Sequence, residues 1–176
     1  MTPTLSTRLK KLRTRMAATG TDLVVIGPSS HMVYLADLSP HGDERPVLLM
    51  VSQGFAGFLM PALNVDSARQ HTDLPFFPWA DAEGPNAALD ALIAATGIDR
   101  NGASIVLDET MRADFALLVL DALPGAKRRF TADTVGYLRS RKDADEYQRL
   151  KASALLNDAA MTAGFAALRA GVTEFE

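Results

Sequence analysis

Apolar positions along this chain switch between two spacings, and the switches mark out its elements. Leu5, Leu9, Leu12 and Met16 fall at steps of four, three and four, one face of a helix that Gly20 closes at its C-cap. Asp22-Leu23-Val24-Val25-Ile26 is a short β-branched run stopped by Gly27-Pro28, which reads as a buried strand. Ser29 or Ser30 then caps a short helical turn through His31–Leu35. A polar loop follows from Asp37 to Pro46. Strands are expected over Val47–Val51 and Gly54–Met60, joined by a link short enough for a hairpin. A short polar helix starts at Asn64 or Asp66, and Phe76–Trp79 is a strand that Pro75 and Pro78 push to a sheet edge. Next come a helix over Ala87–Ala95 ending at Gly97, a strand over Ser104–Leu107, a helix over Arg112–Leu123 and a last strand over Lys127–Thr131. Strands alternating with helices predict an α/β domain of three layers, a mixed sheet flanked by helices.

The pattern changes after about residue 134. A basic stretch, Tyr137–Lys142, gives way abruptly to Asp143-Ala144-Asp145-Glu146, a capping-box variant with acids at the positive end of the helix dipole. Tyr147, Leu150, Ala154, Met161, Phe165 and Leu168 then share one side of a long C-terminal helix reaching toward Gly171. At 1.5 Å per residue that helix is about 40 Å long, more than one small domain covers. The expected division is therefore 1–134 for the α/β domain and 135–176 for a linker and long helix. Thr173-Glu174-Phe175-Glu176 spells a second capping box. A helix start with no helix after it implies a chain cut from a longer protein; the alternative is a tail that happens to read T-x-x-E.

Composition narrows the function classes. A hydrophobic fraction of 48% and a charged fraction of 22% are those of an ordinary globular protein, and a net charge of −3 gives no basic field for nucleic acid. No apolar run approaches the roughly 20 residues that span a bilayer. With no cysteine, disulfides and thiolate chemistry are excluded, which suits the cytoplasm. The first twenty residues hold five Lys/Arg and no acid, as a transit peptide would, but the apolar stripe assigns them to the fold.

Catalytic chemistry is hard to find. None of the phosphate-binding, dinucleotide, zincin or nucleophile-elbow motifs occurs. His31, His41 and His71 lie on three different elements. His31 reads as a partly buried structural residue and His71 as exposed. Asp108-Glu109 sits at a strand end, where α/β sheets often bind ligands, yet a solvated turn is the simpler reading. Trp79 reads first as core, with an interface anchor as the alternative. His41 stands among Asp37, Asp43, Glu44 and Arg45, a loop dense in ionisable groups that reads first as solvated, with a binding surface as the alternative.

Leu138-Arg139-Ser140-Arg141-Lys142-Asp143-Ala144-Asp145-Glu146, with Leu150-Lys151-Ala152-Ser153 and Ala170-Gly171-Val172-Thr173-Glu174 after it, resembles the junction that precedes the catalytic domain of Xaa-Pro peptidases. Upstream, Asp22–Val25 and Tyr34-Leu35-Ala36-Asp37 are similar to the amino-terminal domain of the creatinase/prolidase (pita-bread) family. The resemblance covers essentially the whole chain. It implies a catalytic domain beyond this one, holding two divalent ions (Mn, Co or Zn) on two Asp, one His and two Glu, a pair suited to amide hydrolysis. The first two of those ligands form a D-x10-D pattern, and no two aspartates here stand eleven positions apart. No metal ligand and no catalytic residue carries over, so the chain alone should not be an enzyme.

The resemblance further implies a domain that selects substrate length and assembles a homodimer. Its partners would be its own catalytic domain and, in the parent, proline-containing peptides. His41, Arg45 and Asp37 are the candidate peptide contacts, offered across the dimer, since Arg suits carboxylates and His a pH-tuned contact. Trp79, Leu150 and Phe165 are the candidate interface residues. Creatinase-like amidinohydrolases and lyases share this architecture, and a free-standing binding module is a third reading.

Overall fold

A computed structural model describes residues 3–173 and Phe175. The second capping box depends on Glu176 and lies outside the described residues. The chain divides into two compact units, Met1–Ser140 and Arg141–Glu176.

In the first unit the elements follow in the order α1 (Pro3–Thr19), β1 (Leu23–Ile26), α2 (Ser30–Ala36), β2 (Leu48–Val51), β3 (Ala56–Pro61), α3 (Val65–Ala68), β4 (Phe76–Trp79), α4 (Asn86–Thr96), β5 (Ser104–Leu107), α5 (Ala113–Ala122), β6 (Lys127–Phe130) and α6 (Val135–Ser140). Single 3-10 turns at Ala62–Asn64 and Thr131–Asp133 lead into α3 and α6. The six strands form one sheet in the order β4-β3-β2-β1-β5-β6. β1–β2 and β2–β3 pair antiparallel, while β3–β4, β1–β5 and β5–β6 pair parallel, giving the mixed sheet that the hairpin predicts.

Alternation along the strands divides the core in two. Val24, Ile26, Leu49, Val51, Phe58, Met60 and Val106 face a layer made by α1, α2, α3 and α6. Leu23, Val25, Leu48, Met50, Leu59, Ile105 and Leu107 face α4 and α5. Strands covered on both faces must be apolar throughout, which is why β1 and β2 read as unbroken runs. Leu12 and Met16 on α1 are fully buried, so the amino-terminal stripe is structural. The sheet edges differ in character. β4 carries Pro78, and β6 presents exposed Lys127 and Arg128.

α6 belongs to this unit, because Val135 is fully buried in the first core and Leu138 packs against it. The compact unit thus runs through Ser140, past the boundary expected at residue 134. Gly136 permits the packing: a Cβ there would stand 2.9 Å from the Thr131 carbonyl oxygen.

The second unit is the helix α7 (Ala144–Ala167) and its flanks. Asp143 caps it in extended conformation, accepting from the Glu146 N–H, while the Glu146 carboxylate accepts from the Asp143 N–H at 3.0 Å. None of its residues is buried.

Candidate functional site

The carboxyl ends of the parallel neighbours β1, β5 and β6 are where an open α/β sheet offers a ligand crevice. Here that place is filled with side chains. Gly27 follows β1 directly, and a Cβ there would come within 2.5 Å of the Met111 Cβ, so only glycine lets the two loops meet. Ser29 then caps α2, its hydroxyl accepting from the His31 N–H at 3.2 Å and donating to Asp108 Oδ2 at 2.5 Å. Asp108 Oδ1 accepts from the Thr110 hydroxyl at 2.6 Å and its N–H at 2.9 Å. Both carboxylate oxygens are thus satisfied, and Asp108 is only 2% exposed. The solvated turn expected at Asp108-Glu109 is corrected for Asp108: three donors offset the cost of burying it. Glu109 does remain exposed.

His31 sits above this group, 6% exposed. Arg139 Nη1, from α6, lies 2.9 Å from His31 Nδ1, and a guanidinium can only donate. Nδ1 is therefore the acceptor, and the ring proton is on Nε2. Nε2 faces Thr131 Oγ1 at 3.4 Å, and that hydroxyl lies 2.7 Å from both Glu109 oxygens. The result is a directed chain: Arg139 donates to His31, His31 to Thr131, and Thr131 to Glu109. Burial holds the His31 pKa down, helped by the Arg139 charge and opposed by Asp108 and Glu109. Partial burial works to raise the Glu109 pKa, but the Thr131 hydroxyl and two backbone N–H groups outweigh it, so the net direction is down.

Donor atoms of His31, Asp108 and Glu109 lie within 4.8 Å of one another, a spacing a cation could use. The hydrogen bonds argue otherwise. The one histidine nitrogen facing the acids carries the proton, and each acid already accepts from hydroxyl or backbone donors. The cluster is a satisfied polar network.

The loop from Asp37 to Pro46 separates two open grooves. One, of about 480 Å³, is lined by Asp37, Pro40, Leu63, Ser67 and His71. The other, of about 460 Å³, is lined by Glu44, Arg45, Trp79, Asp81 and Leu118. Asp37 is the C-cap of α2 at φ 53°, its N–H donating to the Val33 carbonyl. His41 is exposed. Arg45 binds Asp81 through two bonds of 3.0 and 2.7 Å, so its fork already holds a carboxylate, and the pairing raises its pKa while lowering that of Asp81. Trp79 is 8% exposed, with its indole N–H on the Pro46 carbonyl at 3.1 Å, so its ring is core and offers little surface to an interface. Leu150 and Phe165, on α7, are 53% and 66% exposed. His71 is exposed.

The sequence model of the creatinase/prolidase N-terminal domain matches residues 8–139, three quarters of the chain. The chain belongs to that family. This creatinase/prolidase N-terminal domain shares its fold with a prolidase from Thermococcus sibiricus at a TM-score of 0.85 and 21% identity, over 100% of this chain and 48% of the other. A dipeptidase from Pyrococcus horikoshii OT3 is 29% identical at a TM-score of 0.67, over 78% of this chain and 38% of its own. An isolated creatinase/prolidase N-terminal domain of an X-Pro dipeptidase from Streptococcus pyogenes aligns at a TM-score of 0.64 and 19% identity, over 77% of this chain and 98% of that one. The chain thus spans less than half the length of the first two. No curated protein sequence matches it. Among the described residues no helix is long and apolar enough to cross a membrane.

The polar network was the part that sequence reasoning missed. Its members are distant in the chain, and the available signal was the pairing of Ser29-x-His31 after one strand with Asp108-Glu109 after another. Its Arg139 lies within the junction stretch, at the last residue of the family match.

Proposed function

We propose that residues 1–176 are the amino-terminal part of a proline-directed metallopeptidase, an Xaa-Pro aminopeptidase or dipeptidase, and supply it no catalytic group. The observation that carries this reading is the family match over residues 8–139, joined to a prolidase in which the same fold is 48% of a longer chain. The family's D-x10-D pattern fits no pair of aspartates here, so Mn, Co or Zn would be held by residues of the catalytic domain. Residues from about 141 onward act as linker and first helix of that domain, which would cover Leu150 and Phe165. The parent works in the cytoplasm, in keeping with a cysteine-free sequence.

The role of the domain is to limit substrate length and to help assemble a homodimer. The grooves on either side of the 37–45 loop support a peptide contact, with Asp37 lining one and Arg45 the other. Arg45 would meet a peptide carboxylate only by trading Asp81 for it, which leaves exposed His41 as the first contact. The family name also spans creatinase, so an amidinohydrolase or lyase parent is the second reading; the prolidase and dipeptidase neighbours favour the peptidase.

Purified 1–176 with Mn or Co should cleave no Xaa-Pro peptide, and turnover by material free of contaminating peptidase would overturn the reading. In the parent, His41→Ala should raise KM or shift peptide-length preference at unchanged metal content. Unaltered kinetics there would remove the loop from the substrate path.

A further inference from the structure

The outer strands β4 and β6 end the sheet by different means. β4 carries Pro78, which has no N–H to offer a further strand. β6 contains no proline and keeps its whole backbone row. The Lys127 N–H donates to the Ala103 carbonyl at 2.8 Å, so Lys127 and Arg129 turn their backbone groups toward β5, and those of Arg128 and Phe130 face outward. The strand is also held firmly in place. Arg129 Nη2 donates to the Thr19 carbonyl at 2.9 Å, the Thr21 hydroxyl at 2.8 Å and the Ser104 hydroxyl at 3.2 Å. Just beyond the strand, the Thr131 N–H donates to Glu109 Oε2 at 3.1 Å.

We infer that β6 is a docking edge for an extended acidic segment of a partner protein, which joins the six-stranded sheet as one strand more. Charge chooses the occupant. Lys127 and Arg128 are exposed, and among the described residues neither forms an ion pair. Their charges repel a second copy of β6 and attract a strand that carries carboxylates. A proline at this edge would refuse both, whereas a pair of cations refuses one and admits the other.

Side-chain directions set the sequence that fits. Arg128 is in register with Ile105 and Phe130 with Leu107, both core residues of the α4–α5 face, so Arg128 and Phe130 project on that side. Lys127 projects with Arg129 on the α1 side. Phe130 is 63% exposed, an aromatic with open surface beside an open backbone. In antiparallel register, the more stable pairing per residue, the guest strand reads apolar, any, acid, acid opposite Phe130, Arg129, Arg128 and Lys127. The position opposite Arg129 is unconstrained because Thr19, Thr21 and Ser104 already engage its guanidinium. Backbone bonds supply the affinity, and the two carboxylates and the apolar side chain supply the selection.

Amide exchange on the full 1–176 chain, titrated with a capped peptide reading Thr-Tyr-Thr-Glu-Glu-Thr, tests this. The Arg128 and Phe130 N–H groups should exchange freely alone and about tenfold more slowly at saturation, as one added backbone hydrogen bond each implies, with Lys127 and Arg129 unchanged. The same peptide N-methylated at the tyrosine and the first glutamate lacks the donors facing β6 and should not bind. A peptide with lysines for both glutamates should not bind either. Lys127→Glu with Arg128→Glu should reverse the preference, weakening the acidic peptide about tenfold and admitting the lysine one. No binding at about 5 mM peptide, or equal binding of the N-methylated peptide, overturns the added strand. Equal binding of the lysine peptide overturns the selection by charge. An oligothymidylate that perturbs β6 as strongly as the acidic peptide marks a general anion surface and overturns the proposal too. Should the double variant fail to fold, the peptide arms on the wild-type chain decide alone.

Discussion

Helices α1 and α7 carry apolar stripes of similar spacing and treat them in opposite ways. On α1, Leu5, Leu9, Leu12 and Met16 are 0–4% exposed, held against the sheet. On α7, Tyr147, Leu150, Met161 and Phe165 are 52–66% exposed, with Leu155 and Leu156 exposed on other faces. Spacing therefore tells which side of a helix favours burial, and not what covers it. The two helices also differ in what sustains them. α1 has no acidic residue in its first turn and rests on core packing, whereas α7 opens on a complete capping box and is Ala-rich, a helix stabilised by local terms.

The largest contrast should come from truncating one aromatic in each unit. Phe58 is fully buried on β3, so Phe58→Ala should cost about 3–5 kcal/mol in urea unfolding followed by the fluorescence of Trp79, the one tryptophan. Phe165→Ala should move the same curve by less than about 0.5 kcal/mol. Comparable losses from the two would break the comparison. Glycines sharpen it next. Gly136→Ala drives a Cβ to 2.9 Å from the Thr131 oxygen and should destabilise by about 1–3 kcal/mol. Gly164 on α7 has nothing within 4 Å of its would-be Cβ, so Gly164→Ala should instead add about 1 kcal/mol of helix stability, read as slower amide exchange in α7. The smallest effect expected is from Asp143→Ala, about 1 kcal/mol confined to fraying of the first turn of α7, with the Trp79 signal unmoved.

Most of the fold was legible because it is written in local spacing. Phe76–Trp79 and Ser104–Leu107 form the strands expected, and the hairpin of β2 and β3 follows from a short polar link. Asp143 caps α7 because the acid three residues later is its partner. The polar network was not legible, since strand order decides it. Only the parallel pairing of β1 with β5 and β5 with β6 brings residues 31, 108, 109, 131 and 139 together, and no local period encodes that adjacency. Asp108 looked solvated because a carboxylate at a strand end normally is; its burial depends on Ser29, distant in sequence. Arg45 looked open to a peptide because Asp81, its partner, lies beyond three intervening strands.

The two margins of the sheet have a consequence for behaviour in concentrated solution. Pro78 removes an N–H from β4, and Lys127 and Arg128 place like charges along β6. Both features disfavour pairing of copies edge to edge, by a missing donor at β4 and like-charge repulsion at β6. Any clustering at high concentration is thereby directed to side-chain surfaces, which salt and detergent can reverse, and away from backbone pairing, which they cannot.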